Sequence, residues 1–240
     1  MTIKKIFKDF EKIKDKTIII IGAGGLGCVV ADLLSRMNID FTIVDDDIVD
    51  DNNLERQILF NENDLLKKKV FVIKEKLREF SNIDAIGKRL DEKNIKTIIN
   101  DADLVIDCTD NVQARIIING YCIKNNIPWI YSGAVSNIGT IYFIKDNACY
   151  ECINKDKDGE TSCEIGVMNS IVAIIGAWTV NIALQYLIEG KTEEDMIRIN
   201  LKNNELMKIK TKKDPKCKVC GEIKKEKKRK SSQNCFSMNH

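Results

Sequence analysis

Histidine is nearly missing from this 240-residue chain: the one copy, His240, is the last residue. Imidazole is the usual proton carrier near neutral pH, so its absence excludes most histidine-based acid–base and nucleophilic schemes. Chemistry here must use lysine, arginine, aspartate, cysteine or a metal. A dominant charge sign is missing as well. Lys and Arg number 38 against 36 Asp and Glu, for a formal net charge of +2, which gives no broad basic face for nucleic acid. The local exception is Lys224 to Lys230, almost all basic, with a polar stretch after it. Residues 223–240 therefore read as a basic, disordered tail behind a folded unit of residues 1–222. The chain has only 2 prolines, no Pro/Gly-rich linker and no internal repeat.

No secretory signal is apparent, because the first apolar run, Thr17 to Ile21, is too short for one. Nine cysteines, an odd number, then favour a reducing cytoplasm and metal or catalytic use over disulfides. Ile165 to Leu187 carries no charge and is long enough to span a bilayer. It also holds Asn169, Ser170, Thr179, Asn181 and Gln185 within a globular α/β pattern, so a buried core helix is expected and no membrane contact.

The pattern along the chain predicts strands at 17–21, 41–44, 84–88, 104–108, 129–132 and 139–144. Helices are predicted at 26–37, 64–80, 112–124 and 167–188, with a hairpin from 196–200 and 206–209. Such alternation implies an α/β fold: a Rossmann-like, mostly parallel sheet with helices on both faces, extended by a C-terminal antiparallel portion.

Gly22-Ala-Gly24-Gly25-Leu-Gly27 follows the first strand and opens a helix. Glycines at these positions permit a tight turn, backbone approach to a phosphate and close helix–strand packing. The free N–H groups of the helix start would face the anion. Asp45 ends the second strand, where a carboxylate can accept from ribose hydroxyls. A nicotinamide-type oxidoreductase is the natural alternative on this motif. Arg56 and Lys69 weigh against it, because a departing pyrophosphate needs cations and a hydride does not. Taken singly, Arg56 could be a surface ion pair and Lys69 one solvated lysine of three. Asp107-Cys108-Thr109-Asp110-Asn111 closes another strand at the ligand-binding edge. Asp110 could hold Mg2+ there, or merely cap the next helix.

Cys149-x-x-Cys152 and Cys217-x-x-Cys220 form two knuckles far apart in sequence. Four thiolates make a closed structural Zn2+ site that ties the C-terminal strands to the main sheet. A redox dithiol would instead expect one such pair at a helix start, whereas these two pairs read as lying in loops. Cys28, Cys108 and Cys122 read as buried small hydrophobes.

Gly22 to Gly27, Asp45-x-Asp47, Asn53-Leu-x-Arg56-Gln57, Lys69-Val70 and Cys108-Thr-Asp110-Asn111 occur together and in this order. The combination resembles the ThiF/MoeB/HesA family, relatives of ubiquitin-activating enzymes, from about Lys16 to about Glu222. The resemblance implies ATP-dependent adenylation of the C-terminal glycine of a ubiquitin-like sulfur-carrier protein ending in Gly-Gly. It implies that Asp45 binds ribose, that Arg56 and Lys69 bind the phosphates, that Asn53 lies nearby and that Asp110 holds Mg2+. It further implies a homodimer and the same paired cysteine knuckles. Cys163, in a polar stretch before the long helix, matches a cysteine that in thiamine-pathway relatives takes part in acyl or sulfur transfer, and is a candidate nucleophile. No rhodanese-like stretch follows Glu222, so a separate sulfur donor is expected. Two departures stand out: no arginine precedes Arg36, where the family has an Arg-x-x-Arg-Gln segment, and Ser170 replaces a usual proline. The first raises a further alternative, a scaffold that binds a carrier without activating it.

Overall fold

Four consecutive isoleucines, Ile18–Ile21, form β1 and are buried on both faces of a sheet. A β-branched run of this kind suits a central parallel strand covered by helices on either side. The computed structural model that contains it describes residues 5–154 and 165–221. Cys163, Cys235 and the basic tail lie outside them.

Around β1 lie β2 (Phe41–Val44), β3 (Ile83–Ile86), β4 (Leu104–Asp107), β5 (Trp129–Val135), β6 (Ile138–Ile144), β7 (Met196–Asn200) and β8 (Glu205–Ile209). They make one eight-stranded sheet in the order β3-β2-β1-β4-β5-β6-β7-β8. The first five of that order are parallel, and β6 to β8 add antiparallel pairs. The order of strand addition reverses between the parallel strands β1 and β4, whose ends Ile21 and Asp107 are register partners. A crevice opens at such a switch point, outside the carboxyl ends of the strands.

Helices α1 (Gly25–Arg36), α2 (Lys69–Leu77) and α6 (Asn169–Glu189) cover one face, and α3 (Ile95–Ile99), α4 (Val112–Asn125) and α5 (Tyr150–Ile153) the other. The uncharged stretch is α6, and it is the core helix that was expected: Ile171, Val172, Ile175 and Val180 are buried against α1 and the sheet. Two glycines allow this approach. A Cβ at Gly139 would fall 2.3 Å from Ile175 Cγ1, and one at Gly176 2.7 Å from Val29 Cβ. Gly190, at φ 74°, ends the helix with its N–H on the Tyr186 carbonyl.

The predicted helix over 64–80 is shorter, because Asp64 is spent on a capping box with Asn61 around a 3₁₀ turn, and Leu66 sits at φ 65°. The strand expected at 84–88 is Ile83–Ile86. Helix α3, five residues long, was not expected, being too short to show a helical period. β5 runs to Val135 and pairs with β6 across Ser136 and Asn137, with Ser136 at φ 53°.

Candidate nucleotide cleft and cysteine cluster

At Gly22, φ is 101°, and a Cβ would meet the Cys108 carbonyl oxygen at 2.7 Å. A Cβ at Gly27 would lie 2.1 Å from the Gly22 oxygen, whereas one at Gly24 would meet nothing within 4 Å. The outer glycines thus serve close packing, and the middle of the loop is left open to the crevice. Helix α1 starts at Gly25 with no side-chain cap, so its first N–H groups face that space.

Asp45 closes β2 and reaches back to the loop. Its Oδ2 accepts from the Ala23 N–H at 2.7 Å and its Oδ1 from the Asp47 N–H at 2.7 Å. Each oxygen keeps a free lone pair for a sugar hydroxyl. Burial pushes the Asp45 carboxyl above its ordinary value, against the pull of these two N–H groups and of Lys69.

Lys69 is not one of three solvated lysines. Its side chain is 5% exposed, and Nζ lies 3.0 Å from Asp47 Oδ2. Lys67 is exposed, and Lys68 donates to the Asp46 carbonyl. Arg56 also lines the cleft, 18% exposed, with Nη1 on the Asn52 carbonyl at 2.7 Å and on Glu55 Oε1 at 3.2 Å. It is held there from behind, because Asn169 at the start of α6 donates to the Glu55 carbonyl at 2.7 Å. Ser170 occupies the second residue of that helix.

Asp110 lies beyond β4 on the turn to α4. The capping role considered for it belongs to Asn111, whose Oδ1 accepts from the Ala114 N–H at 3.1 Å. Gly22, Gly24, Gly25, Asp45, Asn53, Arg56, Lys69 and Asp110 all line one cleft of about 1210 Å³. The residues chosen from sequence as nucleotide contacts are therefore brought together, with Gly27 just behind them.

The cleft also contains residues that sequence reasoning left without a role. Gln57 is buried with an unpartnered Oε1, and Arg115, Tyr131 and Arg198 line the wall. Gln57 and Arg115 stand beside motif residues, which is the signal that could have found them. Tyr131 and Arg198 sit on strands without any local pattern. Cys108 also borders the cleft, but burial pushes its thiol far above the ordinary value, as it does for Cys122. Cys28 is pushed up to about 12 by burial. All three are packing residues, as expected.

At the far side of the β5–β6 hairpin, the four remaining described cysteines converge. Sγ separations are 3.9 Å for Cys149–Cys152, 3.6 Å for Cys149–Cys217 and 3.3 Å for Cys152–Cys220. Four thiolates at tetrahedral Zn–S distances of about 2.3 Å would be about 3.8 Å apart, so the set fits a zinc ion. One detail differs from expectation. Cys149 is the N-cap of the single-turn helix α5 rather than part of a loop. A helix start suits a redox pair, but four sulfurs mutually within 4.8 Å are a metal arrangement.

Comparison with known proteins agrees with the geometry. The ThiF family model matches residues 2–219. The molybdopterin-synthase adenylyltransferase of Escherichia coli is 29% identical over 90% of this chain and 91% of its own. The sulfur carrier protein ThiS adenylyltransferase of E. coli is 30% identical, covering 88% of each chain. Among solved structures, E. coli MccB with ATP superposes with a TM-score of 0.76 at 24% identity, over 88% of this chain and 68% of that one. The chain belongs to the ThiF family. It is an adenylyltransferase, and the oxidoreductase alternative falls with that assignment.

Proposed function

We propose that this enzyme adenylates the C-terminal glycine of a small ubiquitin-like sulfur carrier ending in Gly-Gly, using Mg2+ and ATP. The observation that carries this reading is the convergence of the buried cation Lys69, the partly exposed cation Arg56 and the Asp110 carboxylate with the glycine loop in one cleft. In the reaction, a carrier carboxylate oxygen attacks the α-phosphorus of ATP. The bond from that phosphorus to the bridging oxygen of the β-phosphate breaks, and pyrophosphate leaves. Asp45 takes the ribose hydroxyls. The amides at the start of α1 receive phosphate oxygens, and Asn53 lies beside them. Lys69, released from Asp47, and Arg56 balance the charge that builds on the departing pyrophosphate. Mg2+, when bound at Asp110, supplies further charge neutralisation.

The product is a mixed anhydride, and a sulfur nucleophile can displace AMP from it. Cys163 is the candidate acceptor on this chain, and a separate protein is the candidate sulfur donor. The cysteine cluster holds structural Zn2+. A homodimer is the proposed assembly, supported by exposed apolar Met168 and Ile174 at α6, and the compartment is the cytoplasm. Light scattering at micromolar concentration would return a dimer mass, and a monomer would contradict the assembly.

ATP–pyrophosphate exchange with a panel of Gly-Gly carriers tests the reaction. Exchange that needs both carrier and Mg2+ supports it. Carrier binding without any exchange would favour the scaffold. Cys163→Ala should retain exchange but lose any reductant-sensitive carrier adduct. An adduct that persists in this variant would remove Cys163 from the scheme.

A further inference from the structure

Arg115 lines the cleft, yet its guanidinium is turned into the protein. Its side chain is 11% exposed, and Nε lies 3.4 Å from Oδ2 of Asp107, which is fully buried. Its Nη2 donates to the Thr109 carbonyl. Its Cζ lies over the Tyr131 ring, 4.9 Å from the ring centre. A guanidinium that binds a ligand presents its fork to the ligand. This one donates from Nη2 to the Thr109 carbonyl, faces the Asp107 carboxylate as a buried ion pair with no hydrogen bond at Nε, and lies over the Tyr131 ring.

What it holds is the turn over 107–111. That turn is fixed at its start, where Asp107 Oδ1 accepts from the Thr109 N–H at 2.9 Å and the Thr109 hydroxyl at 2.7 Å. Ser132 ties the Asp107 carbonyl to β5. It is fixed at its end by the Asn111 cap on α4. Between these anchors, the Arg115 contact falls on the carbonyl of residue 109, next to Asp110. The backbone of Arg115 is itself bonded to Asn111, at 3.2 Å.

The brace continues outward. Tyr150, between the two cysteines of the first knuckle, stands edge-on to Tyr131 at 5.2 Å. It is 3% exposed, and its N–H donates to Asn119 Oδ1 on α4 at 3.0 Å. Burial works to lower the Arg115 pKa, and the Asp107 carboxylate, with Tyr131 and Tyr150 beside it, more than reverses this. A continuous set of contacts thus runs from the cysteine knuckle to the turn that carries Asp110.

We propose that Arg115 is a positioning residue that sets the Asp110 turn for Mg2+, and that Tyr150 of the cysteine knuckle braces it. The proposal rests on the Mg2+–ATP role given to the cleft. Residues that orient a metal ligand typically change metal affinity by about 10–100-fold when altered. A lysine ammonium cannot reproduce a planar guanidinium that donates to the Thr109 carbonyl while lying over the Tyr131 ring.

The test is calorimetric titration of the zinc-loaded protein with α,β-methylene-ATP at stepped Mg2+ concentrations, with AMP in a parallel arm. Arg115→Lys should raise the Mg2+ half-saturation about tenfold, leave AMP affinity within about twofold, and add nothing once Asp110 is alanine. Tyr150→Leu should shift the Mg2+ requirement in the same direction by a smaller factor. A wild-type Mg2+ requirement in Arg115→Lys, or equal weakening of AMP and the analogue, would overturn the positioning role. A shift with Arg115→Lys but none with Tyr150→Leu would overturn the brace. Wild-type protein that binds the analogue without Mg2+ would instead remove the Mg2+ reading of the cleft, and this proposal with it.

Discussion

The two halves of the sheet are built by different means. In the parallel half, β1 and β4 are buried at all four positions and covered by helices on both faces. The antiparallel half has longer strands, and its edge strand β8 is exposed at four of five positions. Hydrophobic burial holds the first half together, and hydrogen bonds at its strand ends fix Asp45 and the turn that carries Asp110. The second half has less apolar cover at its edge, and there the cysteine cluster gathers Cys217 and Cys220 back onto α5. Cation and carboxylate chemistry therefore belongs to the half that needs no staple, and the metal arrangement to the half that does.

The strongest way to break this division is to remove chemistry from the parallel half without touching its core. Asp110→Ala should lower carrier-dependent exchange by about 10²-fold or more, with melting temperature unchanged. Full exchange in that variant would remove Asp110 from the site. Lys69→Ala should lower kcat/KM by about 10²-fold, because its ammonium is buried in the cleft, while Lys67→Ala on the exposed side changes it less than about twofold. Equal effects from both lysines would show that burial does not separate them.

The antiparallel half should fail in the opposite manner. Elemental analysis should give about one zinc per chain in the wild type and none in Cys217→Ser. Its stability should fall by more than about 3 kcal/mol, seen as a lowered midpoint in thermal unfolding. Exchange at saturating Mg2+ should persist below the new midpoint. A wild-type protein that is metal-free and equally stable would contradict the staple.

The smallest expected effect is one of pH. Burial raises the Asp45 carboxyl above its ordinary value of 3.8. Between 3.8 and the raised value, the folded chain holds a proton that the unfolded chain has released, so this group's contribution to stability falls as pH rises through that window. Nucleotide binding moves the other way, since the ribose contact needs the ionised form. ATP affinity should decline on acidification at a higher pH than for an ordinary carboxylate, and Asp45→Asn should flatten that decline. An unchanged acid limb in Asp45→Asn would assign it to another group.

Much of the cleft was legible because its residues sit in short contiguous motifs at strand ends, where parallel topology must bring them together. Gly22 to Gly27, Asp45 and Asp110 needed only the strand order. The state of Lys69 was not legible: three consecutive lysines look alike, and only the turn at Leu66 and the start of α2 select which one is buried. The cysteine pairs were readable by spacing, but the helical turn at Tyr150 was not, since four residues carry no period. Arg115 was hidden for a different reason. It stands four residues after the motif that ends at Asn111, but the spacing does not say that its guanidinium turns back onto Asp107 and the Thr109 carbonyl, or that it meets an aromatic ring on β5.

The central claim is that a carrier's terminal carboxylate is the group adenylated in this cleft. The most direct measurement is mass spectrometry of a Gly-Gly carrier incubated with the enzyme, ATP and Mg2+, beside the same carrier lacking its last glycine. The account predicts a mass gain of one AMP on the intact carrier, reversed by added pyrophosphate, and no gain on the shortened one. Equal AMP labelling of both carriers, or no labelling of any Gly-Gly carrier by an enzyme that binds it, would contradict it.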